Sequence, residues 1–245
     1  MDEPSATLRV AQRLAAAGSV FVLSGAGMSA ESGLPTFRGV NGYWGRHRVE
    51  DLASPQGFAR DPRLVWRWYN ERIAAYGSAQ PNAGHFALAE LAALVPHMTI
   101  ATQNVDSLHV RCGSRDVLEL HGHLREARCT GCGATVAIDR GLDEACIEHE
   151  CGGRFRPQVV WFGEMLPSDV WERAALAAAS ADVVLVVGTS AQVYPAAALA
   201  TSSEGAFVAE INPDATPLSD RCTCVLREGA ATALPRIVRA LRSAH

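Results

Sequence analysis

The sequence contains no lysine, so all 22 of its basic residues are arginine. It also lacks an apolar run of the roughly 18 residues that a membrane-spanning helix needs. Residues 1–4 show no basic segment leading into an apolar one, as a secretory signal would. A formal net charge of −4 gives no broad basic surface for nucleic acid. We therefore expect a cytoplasmic, monomeric protein that binds neither membrane nor nucleic acid.

Cysteine is present at seven positions, and four of these form two closely spaced pairs. Cys129 and Cys132 make the first pair, and Cys146 and Cys151 make the second. Four thiolates in two such pairs are the ligands of a closed, structural zinc site, although two disulfides remain the alternative. Because cytoplasmic thiols stay reduced, we expect one structural zinc ion, with Cys112, Cys222 and Cys224 in the core or in strands.

Apolar runs alternate with helical stretches along most of the 245 residues. This alternation predicts an α/β fold with a Rossmann-like, mostly parallel sheet covered by helices on both faces. The predicted strands span 19–24, 98–102, 117–120, 182–187, 206–211 and 222–226. The predicted helices span 6–17, 61–76, 83–94, 168–180, 194–202 and 231–243.

Two segments interrupt the alternation, and we interpret them as a small lobe placed over the sheet. One is a glycine- and aromatic-rich segment with the helix that follows it, residues 39–81, and the other is the cysteine segment, residues 125–156. The Rossmann-like domain then comprises 1–38, 82–124 and 157–245. The lobe is expected to contain both helices and the zinc module.

The first predicted strand runs directly into Gly25-Ala26-Gly27-Met28-Ser29-Ala30. Glycines at this point of a strand–turn–helix unit let the backbone approach a pyrophosphate, so the segment predicts a dinucleotide site. A merely tight turn is the alternative. Glu50 and Asp51 stand near the distance of the usual ribose-binding acid, but no clean strand precedes them. The cofactor must therefore be held differently from that of a dehydrogenase.

Nearly the whole chain resembles the sirtuins, the NAD-dependent protein lysine deacylases. The resemblance rests on motifs in the family's order: 25–39, Gln103-Asn104-Val105-Asp106, His121-Gly122, the four cysteines, Gly188-Thr189-Ser190 and Ile211-Asn212. It implies that the protein cleaves the nicotinamide–ribose bond of NAD and transfers the acyl group of a modified lysine to ADP-ribose. Acylated lysine side chains of proteins or peptides would be its partners.

The resemblance also implies which residues carry the chemistry. His121 matches the base that activates a ribose hydroxyl, a task suited to a neutral imidazole near physiological pH. Asn104 matches the residue that orders the ribose and a water, and Asp106 the one that receives the nicotinamide carboxamide. The complete set expected to bind NAD is Gly25, Ala26, Gly27, Phe37, Arg38, Gln103, Asn104, Asp106, Gly188, Thr189, Ser190, Asn212 and Ala230.

Within that set, Phe37 would shield the nicotinamide pocket from water, and Arg38 would contact the phosphates. Ser190, Asn212 and Ala230 would hold the adenosine half. For Asn212, a turn-forming Asn-Pro pair is the alternative.

The substrate side is expected at two places. Val160, Trp161, Phe162 and Gly163 resemble the family segment that pairs with the substrate backbone, as an exposed strand edge can. Tyr69 and Arg72 lie three residues apart on a predicted helix, so they share a face and can converge on one carboxylate. This pair matches the class III sirtuins, which remove succinyl and malonyl groups. A solvated arginine beside a core tyrosine is the alternative.

One position of the predicted acyl pocket differs from the class III pattern and restricts the acyl groups that are expected to fit. Val49 stands where the class usually has a small residue in the acyl pocket, so longer glutaryl chains are disfavoured while acetyl, malonyl and succinyl fit. Protein mono-ADP-ribosyl transfer remains an alternative reaction, and an NAD-sensing module a non-enzymatic one. The absence of lysine has two explanations: arginine-favouring codon usage, or avoidance of self-modification by an enzyme that acts on lysine.

Overall fold

The computed structural model describes residues 5–36 and 48–243. Its centre is a six-stranded parallel sheet in the order β3-β2-β1-β7-β8-β9. The strands are β1 (Ser19–Ser24), β2 (His97–Thr102), β3 (Val117–Glu119), β7 (Val183–Val187), β8 (Phe207–Ile211) and β9 (Cys224–Leu226). β7 and β8 are buried along their whole length; β7 is apolar throughout, as expected of a strand covered on both faces, whereas β8 carries the buried Glu210.

Helices cover both faces of this sheet. On one face α1 (Ala6–Ala15), α6 (Ala83–Leu91) and α9 (Ala230–Arg242) enclose a core that includes Val22 and Leu185. On the other face α8 (Ser168–Ala179) and the 3-10 helix Ala196–Thr201 pack around Phe21 and Val184. Alternate residues of β1 and β7 therefore enter different cores, as the pleat of a strand requires.

A smaller antiparallel sheet and a group of helices form the second part of the structure. The sheet has the order β5-β4-β6, with β4 (Gly122–Cys129), β5 (Thr135–Ala137) and β6 (Phe155–Val159). The helices are α3 (Val49–Leu52), α4 (Pro55–Arg60) and α5 (Pro62–Ser78), and they share a core with this sheet. α5 begins where Asp61 accepts a hydrogen bond from the Leu64 amide and Pro62 occupies the first turn.

Two short helices lie near the carboxyl edge of the parallel sheet, α2 (Gly27–Ala30) and α7 (Leu108–Arg111). The predicted fold class, a Rossmann-like parallel sheet with a small zinc-binding and helical lobe, is confirmed. The predicted domain boundaries remain a proposal, and the first of them, between residues 38 and 39, lies outside the described residues. Across 5–36 and 48–243, every helix is too short or too polar to cross a bilayer.

Candidate active site and metal centre

The glycine-rich loop lies where β1 and β7 end side by side. The Gly25 amide donates to the Val187 carbonyl at 3.0 Å, and the Gly27 amide donates to the Gly188 carbonyl at 2.7 Å. A Cβ atom on Gly27 would lie 2.7 Å from the Gly188 Cα atom, so only glycine allows this approach. Helices diverge to opposite faces of a parallel sheet at such a switch point, which leaves a crevice for a nucleotide.

Asn104 and Asp106 follow the end of β2 and are tied to this loop. Asn104 Nδ2 donates to the Gly25 carbonyl at 3.0 Å, and Ser29 Oγ donates to Asp106 Oδ2 at 2.7 Å. The Leu108 amide donates to Asp106 Oδ1 at 2.9 Å. Burial raises the pKa of Asp106, partly opposed by these two hydrogen bonds. Both side chains are therefore held in fixed orientations beside the loop.

A pocket opens between the loop and the Asn104–Asp106 segment. The residues that line it are Ala26, Ser29, Leu34, Pro35, Tyr76, Asn104, Val105 and Asp106. Apolar side chains form most of its wall, while an amide and a carboxyl group supply polar contacts. The pocket can therefore offer a bound group both apolar contact and hydrogen bonds.

His121 follows β3 and precedes β4, next to the same edge. Its Nδ1 atom lies 3.0 Å from the Gln103 carbonyl oxygen, so Nδ1–H donates and Nε2 carries the lone pair. Burial lowers the pKa of His121, and the bond to Gln103 opposes the effect in part. The imidazole is therefore neutral at pH 7 and can accept a proton through Nε2.

The opposite side of the crevice is formed after β7 and β8. Gln103 Nε2 donates to Thr189 Oγ1 at 2.9 Å, and Asn212 Nδ2 donates to the Thr189 carbonyl at 3.0 Å. Ser190 is exposed beside Thr189, and Ala230 begins α9. Predicted cofactor residues from five separate segments thus meet along one edge of the sheet. Phe37 and Arg38 lie outside the described residues.

Tyr69 and Arg72 lie on α5 and are both buried. The Tyr69 hydroxyl accepts a hydrogen bond from Trp161 Nε1 at 2.9 Å. Arg72 Nη1 donates to the Trp68 carbonyl at 2.7 Å, and its guanidinium lies 3.5 Å from the centroid of the Trp68 ring. The exposed-arginine alternative is therefore wrong, because Arg72 packs inside the lobe. Val49 is the first residue of α3.

The expected strand edge at 160–163 is not formed. β6 ends at Val159, and the next residues make a turn in which the Glu164 amide donates to the Trp161 carbonyl at 3.0 Å. Gly163 has φ +86°, a value that breaks a strand. The amides of Val160 and Phe162 donate to His121 and Ala53 carbonyls. Peptide binding by Val160, Trp161, Phe162 and Gly163 remains a proposal, made through a turn and not through a strand.

A group of potential metal ligands lies at the far end of the small sheet. It consists of Cys129, Cys132, His149 and Cys151, whose ligand atoms all lie within 4.8 Å of one another. Hydrogen bonds from backbone amides lower the pKa of the Cys129 thiol to about 7, and the amide of Cys132 contributes most. The lowered pKa favours the thiolate, which is the form that binds a metal. Three sulfur atoms and one imidazole nitrogen fit a closed, tetrahedral structural zinc site.

The structure places His149, and not the predicted Cys146, beside the three other cysteines. Cys146 is exposed and ends a 3-10 helix, and the next residue, Ile147, is buried in the core of the lobe. His149 and Cys151 share a tight turn closed by the Gly152 amide and the His149 carbonyl at 2.9 Å. The His149 ring also packs against Phe155, with centroids 5.0 Å apart.

Two histidines lie buried beneath the site. His85 and His109 are both buried, with ring centroids 4.9 Å apart. His109 Nε2 lies 2.9 Å from Ser24 Oγ, and Ser24 donates to Thr102 Oγ1 at 2.9 Å. The Asn104 amide donates to the same Thr102 oxygen at 3.1 Å. His85 accepts from the Asn82 amide at 3.2 Å and helps to cap α6.

We expect these two buried histidines to make the folded protein less stable in acid. Burial lowers the pKa of His85 to about 4 and, with the charge of His85, that of His109 to about 3. The unfolded chain takes up two protons that the folded chain excludes, so the free energy of unfolding falls below about pH 6.5. Each histidine contributes up to about 1.4 kcal/mol per pH unit.

Urea unfolding between pH 4.5 and 7.5 measures this slope. In His109→Gln we expect the change in unfolding free energy per pH unit to fall by the contribution of about one proton. His97→Gln, which alters an exposed histidine, should leave this slope unchanged. An equal slope in wild type and His109→Gln would contradict the assignment.

Together the glycine loop, the polar crevice, the neutral histidine and the metal cluster define a dinucleotide-binding α/β enzyme with a structural metal centre. The Sir2 family model matches residues 25–195. NAD-dependent protein deacylase 2 of Pyrobaculum aerophilum is 46% identical over 238 residues, 96% of each chain. NAD-dependent protein deacylase 1 of Archaeoglobus fulgidus is 46% identical and covers 100% of this chain and 99% of its own. The chain therefore belongs to the Sir2 family.

Solved structures agree with this assignment. A mutant Sir2 homologue bound to ADP-ribose has a TM-score of 0.93 at 45% identity, with 100% of this chain and 98% of that chain covered. A related mutant bound to 2′-O-acetyl-ADP-ribose has a TM-score of 0.91 with the same identity and coverage. A Sir2 protein bound to a myristoylated histone peptide has a TM-score of 0.80 at 32% identity, with 98% and 97% covered.

Proposed function

We propose that the protein removes malonyl and succinyl groups, as well as acetyl groups, from lysine side chains of proteins or peptides. The chain is an NAD-dependent protein deacylase of the Sir2 family, with NAD and one structural zinc as its cofactors. The comparisons do not favour mono-ADP-ribosyl transfer, since a solved relative holds acetylated ADP-ribose. The preference for acidic acyl groups is our proposal, and it rests on the Tyr69–Arg72 pair.

The residues of the crevice suit the proposed roles. When bound in this crevice, NAD would supply the ribose carbon to which the acyl group is transferred, with nicotinamide as the leaving group. Asn104 and Asp106 line the apolar pocket and can orient the carboxamide and ribose through their fixed hydrogen bonds. His121 can take a proton from a ribose hydroxyl through Nε2 because its Nδ1–H is committed to the Gln103 carbonyl.

The acyl end is expected to reach the core of the small lobe. Arg72 is 9% exposed and Tyr69 is 5% exposed, and the two share one face of α5. A buried guanidinium attracts a carboxylate more strongly than an exposed one does, because water screens the pair less. Its stack on Trp68 and its bond to the Trp68 carbonyl fix its direction. Val49 is proposed to limit the length of the acyl chain.

The test compares one peptide in acetyl, malonyl and succinyl forms with wild type and Arg72→Met. Methionine keeps much of the aliphatic packing, so the lost charge dominates. We expect kcat/KM for succinyl relative to acetyl to fall by about 10- to 100-fold, as for loss of a charge-assisted hydrogen bond. Arg67→Met, an exposed arginine of the same helix that pairs with Glu144, is the control. An unchanged ratio in Arg72→Met would reject the clamp.

A further inference from the structure

We propose that Trp161 is a positioning residue for acidic acyl groups, because its indole N–H fixes the Tyr69 phenol as a hydrogen-bond donor. This inference rests on the acyl preference proposed above and deepens it. Trp161 Nε1 lies 2.9 Å from the Tyr69 hydroxyl oxygen, and both side chains are buried. The bond joins the turn after β6 to α5 across 92 residues of sequence.

The direction of this hydrogen bond decides the chemistry. An indole N–H can only donate, so the Tyr69 oxygen must accept. The phenol proton is then left to be donated elsewhere, which suits an acceptor-only carboxylate. Burial raises the pKa of Tyr69 beyond its ordinary value, against smaller opposing effects of Trp161, Arg156 and Arg72. The phenol therefore keeps its proton at neutral pH.

Three further contacts hold the indole in place. The Arg156 guanidinium lies 3.5 Å from the centroid of the Trp161 ring, and the Phe58 ring centroid lies 5.3 Å from it. Glu164 Oε2 accepts from the Trp161 amide at 2.8 Å. Glu164 also pairs with both terminal nitrogens of Arg156, at 2.5 and 2.9 Å. The ring, its backbone and the ion pair form one closed set of contacts.

The arrangement differs from that of an ordinary buried tryptophan, and Trp66 shows the difference. Trp66 is fully buried on the same helix as Tyr69, and its Nε1 donates to the Phe155 carbonyl at 2.8 Å. That bond satisfies the indole with a backbone acceptor and directs no side chain toward the acyl site. Trp161 instead donates to a proposed substrate-binding hydroxyl. Trp66 therefore provides a matched control for loss of one indole N–H.

Trp161→Phe and Trp66→Phe are to be compared for kcat and KM with the succinyl and acetyl forms of one peptide. Phenylalanine keeps an aromatic ring and removes the N–H. In Trp161→Phe we expect the succinyl-to-acetyl ratio of kcat/KM to fall about fivefold, mainly through a higher KM for the succinyl peptide. Trp66→Phe is expected to change the two peptides in parallel.

A double-mutant cycle with Tyr69→Phe separates positioning from general damage. If Trp161 acts through the phenol, Trp161→Phe adds no further loss of the ratio in the Tyr69→Phe background. Independent, additive losses would overturn the inference, as would an unchanged ratio in Trp161→Phe. If Trp161→Phe does not fold, Glu164→Gln takes its place. This variant breaks the ion pair with Arg156 but keeps an acceptor for the Trp161 amide, and we expect it to lower the succinyl-to-acetyl ratio as well. An unchanged ratio in Glu164→Gln would overturn the inference.

Two different results distinguish a failure of this inference from a failure of the proposed acyl preference. Absence of succinyl and malonyl removal by wild type would reject the acyl preference itself. Removal of both by wild type, with an unchanged ratio in Trp161→Phe, would reject only the role of Trp161.

Discussion

Replacement of His121 by alanine is expected to lower kcat for deacylation of an acetyl peptide by at least about 100-fold, since positioned general bases contribute 10²–10⁴. The structure gives the reason. Nδ1–H is held by the Gln103 carbonyl at 3.0 Å, which leaves Nε2 as the one basic atom of the ring. Burial keeps the ring neutral by lowering its pKa. Alanine removes the proton acceptor but leaves the glycine loop and Asn104 in place.

The pH profile gives an independent check on the same residue. Because the folded-state pKa of His121 lies below its ordinary value, activity should be full at neutral pH and fall only as the pH drops through that lowered value. His123→Ala, at the next histidine along β4, serves as the control and should keep the acid limb where it is. NAD consumption undiminished in His121→Ala would remove His121 from the role of base.

Loss of the metal centre is the second large effect that we expect. Chelation should unfold the small antiparallel sheet and reduce deacylation at least about tenfold, because structural zinc supplies folding free energy to the segment that binds it. The metal group lies at the end of β4 that is away from His121, with Cys129 as the last residue of that strand. The reduction is therefore indirect, and readdition of zinc should restore both the fold and the activity.

The ligand set can be tested without reference to activity. His149→Ala should weaken zinc retention in equilibrium dialysis, whereas Cys146→Ser should retain one zinc per chain. In the cobalt-substituted protein, the thiolate-to-cobalt absorption band should match three sulfur ligands and stay unchanged in Cys146→Ser. A smaller band in Cys146→Ser, or full zinc retention by His149→Ala, would assign Cys146 as the ligand. Full activity in protein shown to be metal-free would contradict a structural role.

Much of the parallel sheet was predictable from the sequence, because its strands are buried on both sides. The strand predicted at 19–24 is β1 with the same ends, and the one at 182–187 differs from β7 by one residue. Helix α5 was predictable because Asp61 and Pro62 mark its start. The predicted helix at 194–202 forms as a 3-10 helix from Ala196.

The small sheet escaped prediction for a physical reason. β4 shows no regular alternation of buried and exposed residues, and its pairing with β6 shifts register between Gly122 and Ala127. β6 contains Pro157, a residue that weakens any strand signal. The turn at Trp161 depends on Glu164, whose carboxylate binds the Trp161 amide, and such a contact leaves no periodic pattern.

Some residues of the site could likewise be predicted from local motifs in the sequence, and others could not. The glycine loop and the segment from Gln103 to Asp106 each carry a local motif, so they were found. The burial of His109 could not be predicted, because nothing in the sequence shows the left-handed backbone of Ser107, with φ 61°, just before it. His149 was overlooked because pairing of cysteines suggested Cys146 first. Ser29, which binds Asp106, stood within the glycine motif but carried no signal of its own.

The most direct test of the account incubates the wild-type protein with NAD and a succinylated peptide, and follows the products by mass spectrometry. We predict one nicotinamide, one unmodified lysine and one succinyl-ADP-ribose for each NAD consumed, with malonyl and acetyl peptides giving the corresponding esters. Consumption of NAD with ADP-ribose attached to protein and no loss of the acyl group would contradict it.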